Sequence, residues 1–128
     1  NTKNTGFTTG TPWLHVNPNY HQINVEAALK DPNSIFYTYQ KLIKLRHDNP
    51  IVVDGNFELV KGTGDAVLAY YRILNKQKWL VVANLSSKNQ PFSSEDQVIE
   101  QIITNYTPHD TLDDLTLQPY EAFAVKVK

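Results

Sequence analysis

The chain has four histidines, His15, His21, His47 and His109, and none stands at the i, i+4 or short-loop spacing of a zinc site. There is no Cys, which excludes thiolate chemistry, a Cys-based metal centre and a disulfide framework. Ser86-Ser87 and Ser93-Ser94 lie in turn-like stretches without the G-x-S-x-G elbow that exposes a nucleophilic serine. Hydrolysis by two carboxyl groups needs them about 5 to 10 Å apart across the scissile bond. The adjacent pairs Glu95-Asp96 and Asp113-Asp114 read instead as solvated turn residues. Gly6, Gly10, Gly62 and Gly64 form no phosphate loop, since neither G-K-[ST] nor G-x-G-x-x-G follows a strand. These residues assign no catalytic residue, no substrate-binding residue, no metal and no organic cofactor.

Trp13, Tyr20, Tyr70, Tyr71, Trp79 and Tyr106 are the aromatic side chains that could stack on a sugar ring. Tyr70, Tyr71 and Trp79 fall in runs expected to be strands of the core, so packing is their simpler role. Trp13 lies in an open stretch. Asn84-Leu85-Ser86 and Asn105-Tyr106-Thr107 match the glycosylation sequon, which carries meaning only in a secreted protein.

The chain is 128 residues long, 41% hydrophobic and 20% charged, the range of one modest globular core. Its 12 Lys and Arg are scattered among 13 Asp and Glu. No basic stripe forms, so nucleic acid and anionic membrane surfaces are disfavoured as partners. No apolar run approaches the roughly 18 residues of a bilayer span, and the N-terminus lacks a signal-peptide core. The cysteine-free composition suits a reducing compartment, and the cytoplasm is the expected location. Asn1 is a poor natural start, so the chain reads as a piece of a longer protein.

Three regions are expected. Residues 1–32 are a loop segment with the breakers Thr8-Thr9-Gly10-Thr11-Pro12 and Asn17-Pro18-Asn19, in which a short helical stretch begins near Asn24. A loop beyond about 15 residues is uncommon in a compact domain, so the segment either belongs against a larger body or is mobile. Residues 33–49 form a helix of about four turns, with Asp31-Pro32 as its cap and first position and Asn49-Pro50 as its stop. Ile35, Phe36, Tyr39, Leu42, Ile43 and Leu45 spread over about 180° of that helix, wider than the roughly 100° stripe of a helix lying on one surface. Two neighbours are needed. Arg46 falls inside this arc, either as a charge for the last-turn carbonyls or as half of a buried ion pair.

Residues 51–128 read as a small antiparallel β-sandwich. Seven short runs, Ile51–Val53, Phe57–Val60, Ala66–Leu74, Lys78–Leu85, Val98–Thr104, Leu115–Leu117 and Tyr120–Val127, are separated by turn chemistry. Phe123, Val125 and Val127 alternate with Ala124, Lys126 and Lys128, giving one inner and one wet face. Trp79-Leu80-Val81-Val82-Ala83 is apolar on both faces, as a strand covered on both sides should be.

Several ordered motifs resemble the α-glucosidases of the α-amylase superfamily (glycoside hydrolase family 13), in particular the oligo-1,6-glucosidase type. Gly6-Phe7-Thr8-Thr9-Gly10, Pro12-Trp13, Val16-Asn17-Pro18-Asn19-Tyr20 and Ile23-Asn24-Val25 resemble a segment late in the barrel domain. Lys41-Leu42-Ile43-Lys44-Leu45-Arg46 is similar to the last barrel helix. Leu68-Ala69-Tyr70-Tyr71-Arg72, Leu80-Val81-Val82-Ala83-Asn84-Leu85-Ser86 and Leu117-Gln118-Pro119-Tyr120-Glu121-Ala122 resemble the C-terminal β-domain. The resemblance covers nearly the whole chain and is weakest at Lys88 to Asp96. It implies a mainly β fold: a Greek-key sandwich preceded by an extended loop and one amphipathic helix left from a (β/α)8 barrel. It also implies that the family's Asp nucleophile, Glu acid/base and second Asp precede this segment, so the chain alone is inactive. The implied partners are the catalytic barrel of its own parent and, for that parent, an oligosaccharide hydrolysed with retention. Relatives with this tail also isomerise sucrose or cleave phosphorylated trehalose. The alternative is a free-standing carbohydrate-binding sandwich.

Overall fold

The computed structural model describes residues 2–128; Asn1, on which the reading of the chain as a cut piece rests, lies outside the described residues. The chain divides into two compact units, Asn1–Asp48 and Asn49–Lys128.

The first unit holds 3-10 turns at Lys3–Gly6 and Pro18–His21, then helices α1 (Val25–Lys30) and α2 (Ile35–Asp48). Asn24 caps α1 by accepting a hydrogen bond from the Ala27 N–H at 2.8 Å, which fits the helical stretch expected there. The Asp31-Pro32 pair does not cap α2 as the sequence suggests. Asp31 Oδ1 accepts from the Asn33 N–H (2.9 Å), and its carbonyl accepts from the Ser34 N–H (3.0 Å), so the pair closes a turn. The Ser34 carbonyl then accepts from the Thr38 N–H and opens the helix, while the Ser34 hydroxyl donates to the Ala28 carbonyl at the end of α1 (2.7 Å). Neither helix buries a single residue.

The second unit opens with a short helix, α3 (Pro50–Asp54), followed by β1 (Asn56–Leu59), β2 (Val67–Leu74), β3 (Gln77–Asn84), β4 (Gln90–Phe92), β5 (Val98–Thr104), β6 (Leu115–Leu117) and β7 (Ala122–Val127). Ile51–Val53 is therefore helix and not the strand expected from its β-branched residues. Asn49 is extended (φ −126°, ψ 98°) and Pro50 takes the first helical position, where its fixed φ and missing N–H favour a helix start. β1, β2 and β3 each lie within one residue of the expected runs at their ends. β7 starts at Ala122, two residues later than expected, because Tyr120 turns the chain with φ +57°, and β4 has no counterpart among the expected runs.

β1-β2-β3-β7-β5 form an antiparallel five-stranded sheet, and β4-β6 form a two-stranded one. Asn75 and Lys76, both left-handed (φ 48° and 67°), make the two-residue turn of the β2–β3 hairpin, matching the twist of the strands they join. The inner face of the large sheet supplies Val67, Ala69, Leu80, Val82, Phe123, Val125 and Val127 to the core. Phe92 of β4, Leu117 of β6 and Leu112 close it from the other layer. The fold is the mainly β antiparallel sandwich that the strand pattern implied.

Candidate functional site

The buried polar groups show first what this chain's carboxylates can do. Glu121 is 2% exposed. Its Oε2 accepts from the Gln118 N–H and its Oε1 meets His109 Nε2, each at 2.7 Å. Asn84, also 2% exposed, donates from Nδ2 to the carbonyls of Lys88 (2.7 Å) and Gln118 (2.8 Å). Its Oδ1 accepts from the Ser86 N–H and hydroxyl. A fully satisfied network of this kind fixes one arrangement of the loops it joins. It clamps the end of β3 to the β6–β7 turn, and so ties together Leu80–Ser86 and Leu117–Ala122, two of the stretches that carry the family resemblance.

Asp96 is a half-buried carboxylate, its side chain 12% exposed. Glu95 is exposed, as expected of a turn residue, but Asp96 is not the solvated turn residue that the sequence pattern implies. Asp96 Oδ1 pairs with Lys78 Nζ at 2.7 Å; its Oδ2 accepts from the Tyr71 hydroxyl (2.6 Å) and the Ser94 hydroxyl (2.9 Å). Burial by itself would push this carboxyl up, but the hydrogen bonds from Lys78, Tyr71 and Ser94 outweigh it and hold Asp96 below the usual carboxylate value. Burial and then the bond to Asp96 push the Tyr71 phenol up. Desolvation works against the Lys78 ammonium, yet the pairing with Asp96 leaves it above its ordinary value. Glu121 and Asp96 thus hold fixed structural partners on both oxygens. Neither offers a free oxygen for acid, base or nucleophilic work. Asp113 and Asp114 are exposed, as expected of turn residues.

The remaining histidines do not converge. His15 and His47 are exposed, and His21 stacks on Tyr20 with ring centroids 3.9 Å apart. No group of three metal-ligating side chains forms among the described residues. Of the aromatic candidates, Trp79 is 5% exposed and Trp13 is 92% exposed. Tyr71 packs against the core, Tyr70 stacks with Phe57 at 4.9 Å, and Tyr106 donates its hydroxyl to the Pro119 carbonyl at 3.0 Å.

What the second unit offers is a face. On the outer side of the large sheet, Leu68, Tyr70 and Arg72 of β2 stand opposite Ala83, Val81 and Trp79 of β3. Phe57 and Leu59 of β1 stand opposite Arg72 and Tyr70. At one end, α3 packs on β2, and Trp79 is buried with its Nε1–H unpartnered among the described residues. Elsewhere the face is open: Phe57 and Leu59 are each 56% exposed and Leu68 is 39% exposed. The first unit has an open face of its own on α2, where Ile35, Tyr39, Leu42 and Ile43 are all exposed. Arg46 is exposed in the last turn of α2, placed as a cation facing the helix's negative end.

Residues 1–55 match the α-amylase catalytic domain and residues 67–123 match the α-amylase SusG C-terminal domain. The chain belongs to the α-amylase superfamily, and over its length it fits the C-terminal part of that superfamily's oligo-1,6-glucosidase type. It is 47% identical to a glucan 1,6-α-glucosidase of Streptococcus pneumoniae over 98% of the chain and 23% of that relative. To an oligo-1,6-glucosidase of Parageobacillus thermoglucosidasius it is 41% identical, over 98% of the chain and 24% of the relative. The crystal structure of isomaltulose synthase from Klebsiella sp. LX3 superposes with a TM-score of 0.89 at 34% identity, covering 99% of this chain and 24% of that one. The chain thus spans about a quarter of the length of the relatives it matches. No helix among the described residues is long and apolar enough to cross a membrane.

Proposed function

We propose that this chain is the non-catalytic C-terminal part of an α-glucosidase of the oligo-1,6-glucosidase type, and that its sandwich braces the catalytic barrel of the same protein. The longer protein hydrolyses the α-glucosidic bonds of small oligosaccharides with retention of configuration, through an Asp nucleophile and a Glu acid/base that lie before this segment. It works in the cytoplasm, a placement supported by the absence of Cys. The observation that carries the reading is the apolar face of α2. The match to a catalytic domain runs through this helix, yet Ile35 is 77% and Ile43 55% exposed. An apolar arc of that width is stable in water only when other elements cover it.

Two measurements test it. The purified 128-residue chain should not turn over p-nitrophenyl-α-glucoside; turnover that disappears with Asp96→Asn or Glu121→Gln would sink the non-catalytic reading. In the longer protein, Phe123→Ala should lower thermal tolerance and soluble yield, while the turnover number per active-site-titrated molecule stays within about twofold. A hundredfold loss at normal stability would put the sandwich in the chemistry and end the bracing reading.

Trp13, 92% exposed, favours a second reading, in which the chain binds sugar by itself. Calorimetric titration with maltose and isomaltose decides: heat of binding that vanishes in Trp13→Ala supports the sugar-binding module, and no binding removes it.

A further inference from the structure

The turn between β6 and β7 puts an aromatic residue where glycine would be easier. Tyr120 has φ +57°, the left-handed region in which a bulky side chain is an outlier and glycine carries no steric cost. Such a conformation persists only when its surroundings over-determine it, and here they do. The Tyr120 N–H donates to the Ser86 carbonyl at 3.1 Å. Its own carbonyl accepts from Asn105 Nδ2 at 2.9 Å, and Asn105 Oδ1 accepts from the Ala122 N–H at 2.8 Å. The Glu121 N–H closes the turn on the Gln118 carbonyl at 3.1 Å. The ring itself takes no part in the core, for Tyr120 is 61% exposed.

A second ring stands beside it. Tyr106 donates its hydroxyl to the Pro119 carbonyl at 3.0 Å, and its N–H donates to Thr104 Oγ1 at 3.1 Å, yet it remains 46% exposed. Leu85, next to the Ser86 that holds Tyr120, is exposed as well. One end of the sandwich thus carries two fixed, partly exposed aromatic rings. Ser87, Thr107 and Gln118 flank them in the chain, all exposed, and Lys88 is the only charged residue among residues 84–88, 104–108 and 117–120. Stacked nucleic-acid bases would need a positively charged groove, which this end lacks. Aromatic surface with a few uncharged hydroxyl and amide groups at its edge suits a neutral ligand that has an apolar face and a polar rim. A sugar ring is such a ligand, with its C–H face and its ring of hydroxyls. We propose that the Tyr106–Tyr120 end of the sandwich is a sugar-binding surface for α-linked gluco-oligosaccharides, with Tyr120 as its stacking platform. The choice of sugar rests on the α-glucosidase reading; the site is separate from Trp13.

Titration of the full chain with isomaltotriose and with maltotriose at millimolar concentration, followed by amide NMR shifts, tests the proposal. The Tyr106 and Ala122 amides, bonded to Thr104 Oγ1 and Asn105 Oδ1, report on the site. The Lys128 amide, bonded to the Gln97 carbonyl, reports on the far end of β7. The first two should shift with sugar and Lys128 should not. Tyr120→Gly removes the ring and relieves the backbone, so it should fold as well as the native chain while binding weakens about tenfold or more. Tyr120→Trp should keep binding, and Trp13→Ala should leave it unchanged. Absence of shifts with both sugars overturns the proposal, as do shifts that survive Tyr120→Gly. If Tyr120→Gly does not fold, Tyr120→Asn, which also tolerates left-handed backbone, decides in the same way. Turnover of p-nitrophenyl-α-glucoside by the longer protein judges the α-glucosidase reading separately, and Tyr120→Gly should leave it unchanged; sugar binding without turnover would sink that reading and keep the site.

Discussion

The two units solve the problem of apolar side chains in opposite ways. Within the sandwich, Leu80, Val82, Leu117 and Val125 are fully buried, and each buried polar group of the Asn84–Glu121 and Asp96 networks has its partner. In the first unit the helices bury nothing, although α2 has a comparable supply of Ile, Leu, Phe and Tyr. The difference is that a sheet layered on a second sheet closes its own core, whereas a single long helix needs neighbours. The sandwich buries its own apolar side chains, while the helices of the first unit leave theirs exposed.

If that comparison is right, the largest effect should come from the sandwich core. Phe123 is 2% exposed on the inner face of β7, and Phe123→Ala should cost about 3 to 5 kcal/mol, a large part of a small domain's roughly 5 to 15. Chemical denaturation followed by near-UV circular dichroism measures it; a loss below about 1 kcal/mol would mean that the core is not where the sheet packing puts it. Next in size is Glu121→Ala, which leaves the Gln118 N–H and His109 without their acceptor inside the protein. The expected loss is about 2 to 4 kcal/mol, and Glu121→Gln, which keeps one acceptor oxygen, should recover part of it.

The Asp96 network gives a smaller, pH-dependent effect. The native carboxyl is held below its unfolded value of 3.8. Its contribution is therefore present above that value and lost as pH falls through the lower native one. Tyr71 has the opposite sign: its phenol is raised above 10.0, so its contribution is present below pH 10 and lost as pH rises further. The unfolding midpoint of the sandwich should fall at both extremes. Asp96→Asn should flatten the acid limb and cost about 1 to 2 kcal/mol near neutrality. An acid limb of unchanged steepness in Asp96→Asn would show that other groups carry it.

The layered β architecture was legible because turn residues bracket apolar runs: Val98–Thr104 and Leu115–Leu117 stand where the pattern put them. The failures have physical causes. Ile51-Val52-Val53 is equally good as a strand or as one helical turn; Pro50 favours the helix start, and the Arg72 side chain that meets its carbonyls is 19 to 21 residues away, beyond any local signal. Gln90-Pro91-Phe92 does not read as a strand because Pro cannot donate to a ladder; Pro91 is tolerated in β4, which among the described residues pairs with β6 alone. Asp96 read as solvent-exposed because a turn residue's partners on other strands, Tyr71 and Lys78, leave no local signal. The same holds for His109 and Glu121, 12 residues apart. The open faces were better anticipated, since the wide apolar arc of α2 and the two-sided apolar run of β3 each asked for a cover that local sequence did not supply.

The smallest expected effect tests the comparison most directly, because one substitution should behave differently in two settings. Ile43 lies on the open face of α2, 55% exposed. In the chain as it stands, Ile43→Ala removes little buried surface, and Ala is the better helix former by a few tenths of a kcal/mol. Stability measured by exchange of the α2 amides should therefore change by no more than about 0.5 kcal/mol in either direction. In the longer protein, where the proposed barrel covers that face, the same change deletes a packed side chain and should cost about 2 to 5 kcal/mol. A large loss in the short chain would mean that α2 already packs against a partner within it. A negligible effect in both would mean that the face stays open in the whole protein, and the apolar arc would have to be explained by something other than the barrel.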